Sequence, residues 1–243
     1  MAAANVQALL LDIEGTTTPI DFVYKVLFPY ARHNVRAFVE LHHNDLLDDI
    51  SALKAEQRID SETGANPPAW RESSPDSLVE SIAGYVDWLM DLDRKSTALK
   101  SLQGKIWEAG YLNGRLHSEV YPDVPPAFAR WTGQQKRIYI YSSGSILAQQ
   151  LLFAHTTNGD LTGYISGYFD TTIGPKKVAA SYQSIAAAIG CDAGEVLFLS
   201  DVTGELDAAR NAGMQTTLCV RPGNAETQSD THRAVRTFAE VIL

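Results

Sequence analysis

The stretch Leu9-Leu10-Leu11-Asp12-Ile13-Glu14-Gly15-Thr16-Thr17 decides how the rest of the chain is read. Upstream of it, Val6 through Leu11 is apolar except for Gln7, the pattern of a parallel strand buried on both faces. The run stops at two acids that straddle one residue, then at Gly15, which permits a tight turn, and at Thr16, Thr17 and Thr18. In an open α/β sheet, chemistry collects outside the carboxyl ends of the strands, which is where Asp12 and Glu14 stand in this reading. A plain polar turn with Asp12 solvated uses the same residues. The choice depends on what the other strands end in.

Working outward, the 243 residues allow one domain with a sizeable insertion, or two small domains, at roughly 150 residues per domain. A hydrophobic share of 45% with 20% charged residues describes an ordinary globular protein. The net charge of -9 argues against nucleic-acid or anionic-membrane surfaces, yet leaves room for a local cationic pocket. Cys191 and Cys219 have no metal-ligand spacing and read as small core hydrophobes in a reducing, cytoplasmic setting. The first apolar run has no basic flank and is cut short by Asp12, so neither a signal peptide nor a membrane span is expected.

From Asp21 to about Gly114 the periodicity becomes helical. Phe22, Val23, Val26, Leu27, Tyr30, Val35, Phe38 and Val39 recur at helical spacing, with Pro29 kinking that helix or starting a new one. Asn44 is placed to cap a second helix carrying Leu46, Leu47, Ile50 and Leu53, and residues 60–73 read as a loop. Ser74-Pro75 gives a cap followed by proline at the first helical position, and a fourth helix spans about 96–109. The expected organisation is an α/β core from 1–20 and 115–243, with a helical insertion at 21–114 spliced in directly after the first strand.

After Tyr121 strands and helices alternate, the signature of a parallel sheet. Arg137–Tyr141 reads as a strand ending at Ser142-Ser143-Gly144-Ser145, and 164–169 as a shorter one. Val196–Leu199 ends at Ser200-Asp201, residues 215–220 read as the last core strand, and a final helix is expected over about 231–242. Three strands thus end in Asp12/Glu14, Ser142/Ser143 and Asp201, with Lys176 and Lys177 on a connecting loop. Each has a structural alternative: Ser142 and Ser143 as helix caps, the lysines as solvated charges, Asp201 complementing a helix dipole. Glu205 and Asp207 read as surface charges, with Glu205 alternatively orienting a ligand. His33, His42, His43, His155 and His232 read as solvated, and Arg221-Pro222-Gly223-Asn224 as a turn, with Arg221 alternatively setting the electrostatics of the site. One shared site explains the strand ends more simply than four coincidences.

This pattern resembles the haloacid dehalogenase superfamily of phosphohydrolases: an Asp-x-Asp-x-Thr motif after the first strand, a Ser or Thr ending the next, then a Lys, then an acid after a later strand. The matching positions are Asp12, Ser142, Lys176 and Asp201, in the family's order. Glu14 stands where most members have Asp. That departure, with Tyr139-Ile140-Tyr141-Ser142-Ser143-Gly144-Ser145, Phe169-Asp170-Thr171, Ile173-Gly174, Phe198-Leu199-Ser200-Asp201-Val202-Thr203 and Val220-Arg221-Pro222-Gly223-Asn224, is similar to the enolase-phosphatase (acireductone synthase) branch. The resemblance covers essentially the whole chain. It implies a haloacid dehalogenase-like Rossmannoid core, a parallel sheet with helices on both faces, and a helical cap domain inserted after the first strand.

The resemblance further implies Mg²⁺ held by Asp12, Asp201 and the region of Glu14, a hard-oxygen set that suits a cation retaining water. Asp12 is implied as nucleophile, forming an aspartyl-phosphate. Lys176, Ser142 and Ser143 are implied to hold the phosphoryl oxygens, with Lys177 as the competing lysine. Glu14 is implied as general acid and base. The implied substrate is the small phosphorylated diketone 2,3-diketo-5-methylthiopentyl 1-phosphate of methionine salvage, enolised and dephosphorylated by a cytoplasmic monomer with no nucleic-acid or membrane partner. Phe22, Trp107 and Tyr111 are candidates for an apolar slot, with ordinary packing as the alternative for each. Rival readings are another capped Mg²⁺-dependent phosphatase, a metal-independent dehalogenase, and a catalytically silent binding protein on the same fold.

Overall fold

The computed structural model describes residues 6–94, 96–224 and 229–243. The chain divides into two compact units, Met1–Val23 with Leu116–Leu243, and Tyr24–Arg115. In the first, β1 (Ala8–Leu11) is wholly buried, because three consecutive leucines can be covered only by layers on both faces of a sheet. A single-turn helix, α1 (Ile20–Phe22), follows the turn at its end.

The second unit is helical. A π turn at Val23–Leu27 leads into α2 (Phe28–His42), with Pro29 in the first turn, where a missing N–H costs nothing. Pro29 therefore starts a helix rather than kinking one. Helices α3 (Leu47–Glu62), α4 (Pro75–Asp91) and α5 (Thr97–Leu112) complete it. Ser74 caps α4 through the Ser77 amide, with Ser77 returning the bond, and Ser96 caps α5 through the Leu99 amide. Asn44 does not cap α3. It lies in a 3₁₀ turn, His43–Asp45, and the first-turn acids Asp48 and Asp49 complement the helix dipole instead. Residues 60–62, read as loop, extend α3, because buried Asp60 accepts from Tyr85 Oη and Arg94 Nη1, each at 2.6 Å. Asp49 is likewise buried against Lys105 Nζ at 2.6 Å and the Ser101 hydroxyl. Trp107 and Tyr111 are buried in this unit, and Trp107 Nε1 donates to the Leu27 carbonyl at 2.9 Å while its ring stacks on Phe28. That is ordinary packing.

The first unit resumes with α6 (Val124–Gly133), β2 (Arg137–Tyr141), α7 (Ile146–Ala154), β3 (Ile165–Phe169), α8 (Ala179–Ile189), β4 (Val196–Ser200), α9 (Thr203–Asn211), β5 (Gln215–Cys219) and β6 (Arg233–Val235). The strands form one parallel sheet in the order β3-β2-β1-β4-β5-β6. Ala8, Leu10, Tyr141, Val196 and Phe198 share a face with Tyr182, Ile185, Leu206 and Ala209 of α8 and α9. The alternate residues Leu9, Leu11, Ile138 and Ile140 point to the opposite face, where α6 packs on β2 and α7 on β3. Strands β2 and β4 flank β1 after running out in opposite directions, so the carboxyl end of β1 lies at the switch point where α/β sheets bind ligands.

The expected C-terminal helix is absent. Residues 233–235 form β6, and a 3₁₀ turn follows at Phe238–Glu240, so β5 is not the last strand. Val235, Phe238 and Val241 have helical spacing and are buried, but the open edge of β5 captures this segment instead, the Val220 amide donating to the Val235 carbonyl at 2.9 Å. Among the described residues no helix is long and apolar enough to cross a membrane. Both cysteines are free thiols. Cys219 is buried, whereas Cys191 is only half-buried and accepts from Arg137 Nη2 at 2.7 Å.

Candidate active site

The turn after β1 is built around the Ile13 carbonyl, which accepts from the amides of Thr16, Thr17 and Thr18 at 3.2, 3.0 and 2.9 Å. The Thr17 hydroxyl donates back to the Asp12 carbonyl at 3.1 Å. Gly15 sits at φ +69°, and a Cβ there would lie 2.3 Å from Asp201 Oδ2, so only glycine lets the turn approach the end of β4.

This turn presents Asp12, which is buried. Its Oδ1 accepts from the Ile13 amide at 2.8 Å and from Lys176 Nζ at 2.6 Å, and its Oδ2 accepts from Ser200 Oγ at 3.0 Å. Lys176 also pairs with Glu205 Oε2 at 2.7 Å. Ser142, at the end of β2, is buried with its Oγ 3.4 Å from Glu14 Oε2, and that Oγ accepts from the Gly144 amide at 3.1 Å. Ser143 follows on the same loop, half-buried. The expected residues from four segments thus meet at neighbouring strand ends. Lys177 is exposed, which separates it from its neighbour.

Sequence reasoning misjudged two residues and overlooked two. Glu205 is a buried partner of Lys176 and not a surface charge, while Asp207 is exposed as expected. His232 is buried, with Nδ1 at 2.7 Å from Thr216 Oγ1 and Nε2 at 3.1 Å from Asp207 Oδ1. Arg221 opens the expected turn, its carbonyl accepting from the Asn224 amide at 3.2 Å. Its guanidinium lies between the Tyr121 and Phe238 rings and donates to Asp123, Thr16 O and Arg236 O. The overlooked residues are Ser200 and Asn224, whose Nδ2 donates to Gly15 O at 2.9 Å and Asp201 Oδ2 at 3.2 Å. Both adjoin the strand-end motifs, which was the available signal.

Four carboxylates, those of Asp12, Glu14, Asp201 and Glu205, act on the single ammonium of Lys176. Burial, reinforced by Asp12, pushes Asp201 up to about 7, and burial with Asp12 likewise pushes Glu205 up to about 7 against the pull of Lys176. Burial and Asp12 also raise Glu14. Burial opposes the charge on Lys176, but Asp12, Glu205 and Glu14 overcome it and hold the ammonium protonated well above its ordinary range. Among the described residues no three His, Cys, Asp or Glu side chains cluster as a ready metal cage. The donor chemistry nevertheless fits a hard cation. There is surplus negative charge, Asp201 lies beside the Gly15 turn, and the adjacent buried Asn224 Oδ1 has no hydrogen-bond partner among the described residues.

A carboxylate fixed between an ammonium and a hydroxyl, at the switch point of a parallel sheet interrupted by a helical insertion, fits an α/β hydrolase with an inserted helical unit. Residues 6–213 match the haloacid dehalogenase-like hydrolase family, and the chain belongs to it, among the enolase-phosphatases. It is 48% identical to Enolase-phosphatase E1 of Synechococcus elongatus, over 98% of each chain. It is 45% identical to Enolase-phosphatase E1 of Sorangium cellulosum, over 99% of each. The crystal structure of the Unknown transcript 4 protein of Saccharomyces cerevisiae is similar at 36% identity and a TM-score of 0.78, covering 98% of this chain and 100% of that one.

Proposed function

We propose that this chain enolises 2,3-diketo-5-methylthiopentyl 1-phosphate and hydrolyses the enol phosphate to the acireductone 1,2-dihydroxy-3-keto-5-methylthiopentene, in the cytoplasm, as a monomer. The observation that carries the proposal is the Asp12–Lys176 contact at 2.6 Å beside Asp201, in a chain 48% identical to an enolase-phosphatase over nearly its full length.

In this reading Asp12 attacks phosphorus, so that an Asp12 oxygen–phosphorus bond forms as the bond to the C1 oxygen breaks. The leaving oxygen takes a proton from Glu14. Glu14 then removes a proton from water, whose oxygen attacks the phosphoaspartate and releases inorganic phosphate and free Asp12. Lys176 and the Ser142 and Ser143 hydroxyl and amide groups hold the phosphoryl oxygens as negative charge spreads over them. Before transfer, Glu14 is the base that removes the C1 proton, which is the proton it then gives to the leaving oxygen. The proton it later takes from water passes to the C2 oxygen of the released enolate, so that both hydroxyls of the product are accounted for and Glu14 is again a carboxylate. Asp12, Asp201 and the Glu14 region would hold Mg²⁺, which would supply positive charge against the repulsion between a carboxylate nucleophile and a dianionic phosphate and would act as a Lewis acid toward the substrate carbonyl. Ser200 and the Ile13 amide keep the Asp12 carboxylate aimed.

The test is to incubate the protein with the diketone phosphate and Mg²⁺, following phosphate release and the ultraviolet absorbance of the acireductone together. Both signals should rise in one-to-one yield. Phosphate release from simple esters alone, with no acireductone, would establish a general phosphatase in place of this reading.

A further inference from the structure

Lys176 lies on the loop joining β3 to α8, in a turn where the Pro175 carbonyl accepts from the Val178 amide at 3.1 Å, and three consecutive carbonyls beneath it are each met by a side-chain hydroxyl as well. Tyr141 Oη donates to Gly174 O at 2.8 Å, Ser181 Oγ to Pro175 O at 2.8 Å, and Tyr182 Oη to Lys176 O at 2.6 Å. Neither tyrosine has exposed surface, and Ser181 is buried. The two rings meet edge to face at 5.6 Å, and Tyr182 packs on Phe198 of β4 at 5.0 Å. The Lys176 ammonium lies 5.7 Å from the centroid of the Tyr141 ring. Gly174, at φ +145°, has no space for a Cβ, which would fall 2.3 Å from Ser181 Oγ. Pro175 fixes its own φ in between. Rigid contacts therefore run from the end of β2 and the middle of β4, through three hydroxyls, to the backbone of Lys176 and the two residues before it.

We infer that Tyr182, assisted by Tyr141 and Ser181, is a positioning residue for phosphoryl transfer, setting where the Lys176 ammonium stands relative to Asp12. The inference rests on the role proposed above for Lys176. A lysine side chain is long and flexible, so a fixed ammonium needs a fixed starting point on the main chain. Fixing the Lys176 carbonyl supplies it. Tyr141 also directly precedes Ser142, so one strand end would set both the lysine loop and the phosphate-facing hydroxyl. A hydroxyl that merely satisfied a buried carbonyl would contribute to stability alone. A displacement of about 1 Å in a catalytic group can cost on the order of a hundredfold in rate.

Tyr182→Phe keeps the ring and removes only the donor. Its kcat on the diketone phosphate should fall about ten- to a hundredfold, with KM within about threefold. Calorimetric binding of inorganic phosphate in the presence of Mg²⁺ supplies the second measurement. Phosphate should bind about tenfold more weakly to Tyr182→Phe than to the unmodified protein, but no more than twofold more weakly to Lys176→Met/Tyr182→Phe than to Lys176→Met, because the effect passes through the lysine. Equal weakening with and without Lys176 overturns the inference and makes Tyr182 a packing residue. So does a kcat within twofold of the unmodified protein while Lys176→Met is inactive. An active Lys176→Met overturns instead the proposed role of Lys176, and this inference with it. If Tyr182→Phe does not fold, Ser181→Ala carries the same cycle, with a smaller expected loss of about three- to tenfold.

Discussion

The two units bury acids in opposite ways. In the helical unit each buried carboxylate is matched with a cation: Asp49 with Lys105 and Asp60 with Arg94, each pair at 2.6 Å and each acid taking a further hydroxyl from Ser101 or Tyr85. In the α/β unit Asp12, Glu14, Asp201 and Glu205 surround one lysine, and burial pushes the last two up to about 7. A buried charge without a partner is costly, and proteins retain such arrangements where a site needs them. The helical unit uses acids to hold itself together. The α/β unit keeps its acids in surplus, as a site for a cation and an anionic substrate does.

The largest expected effect tests that contrast directly. Asp12→Asn should lower phosphate release by at least about 10³-fold, as loss of a nucleophile does. Its melting temperature without metal should be equal to or above that of the parent, since one of four clustered negative charges is gone. A clear loss of stability would mean that Asp12 is a structural acid like those of the helical unit. Next, Mg²⁺ at a hundred times its Kd should stabilise the protein by about 2.7 kcal/mol, read as a rise in melting temperature. Asp201→Asn should lose most of that rise.

The counterpart in the helical unit is Asp60→Ala, which strands the buried Tyr85 hydroxyl. Because Arg94 is partly exposed, a loss of about 2 kcal/mol is expected in denaturant unfolding, with the stabilisation by Mg²⁺ the same as in the unmodified protein. Stability unchanged by this substitution would erase the distinction between the units. The smallest effect is one on which the units agree. Burial raises Tyr85 in one, and raises Tyr121 in the other to about 12 despite Arg221. The folded protein keeps the Tyr121 proton where the unfolded chain, near 10, has lost it. Stability should therefore fall as pH rises from 10 to 12 and level off above. Tyr121→Phe should flatten part of that fall, measured by unfolding at pH 9, 10.5 and 12.

Much of this was legible along the chain. The apolar run before Asp12, the serines after Tyr141 and the Ser200-Asp201 pair are local signals, because a parallel strand buried on both faces has no polar residue to spare until it ends. The caps at Ser74 and Ser96 were legible for the same reason, since a cap depends on residues three positions apart. Other features depend on partners remote in sequence. Glu205 reads as a helix-surface acid until Lys176, 29 positions earlier, is brought against it. His232 reads as solvated until Thr216 and Asp207 enclose it.

The sequence alone indicated the parallel α/β core, the helical insertion, the candidate acids at the strand ends and a pair of candidate lysines on a loop, since hydrophobic period and turn chemistry are written in adjacent residues. Only the tertiary structure decided that the C-terminal segment becomes a sixth strand, that Lys176 and not Lys177 meets Asp12, and that three hydroxyls hold the lysine's backbone. Those outcomes depend on which open edge, carbonyl or charge lies nearest once the chain is folded. No local pattern encodes that proximity.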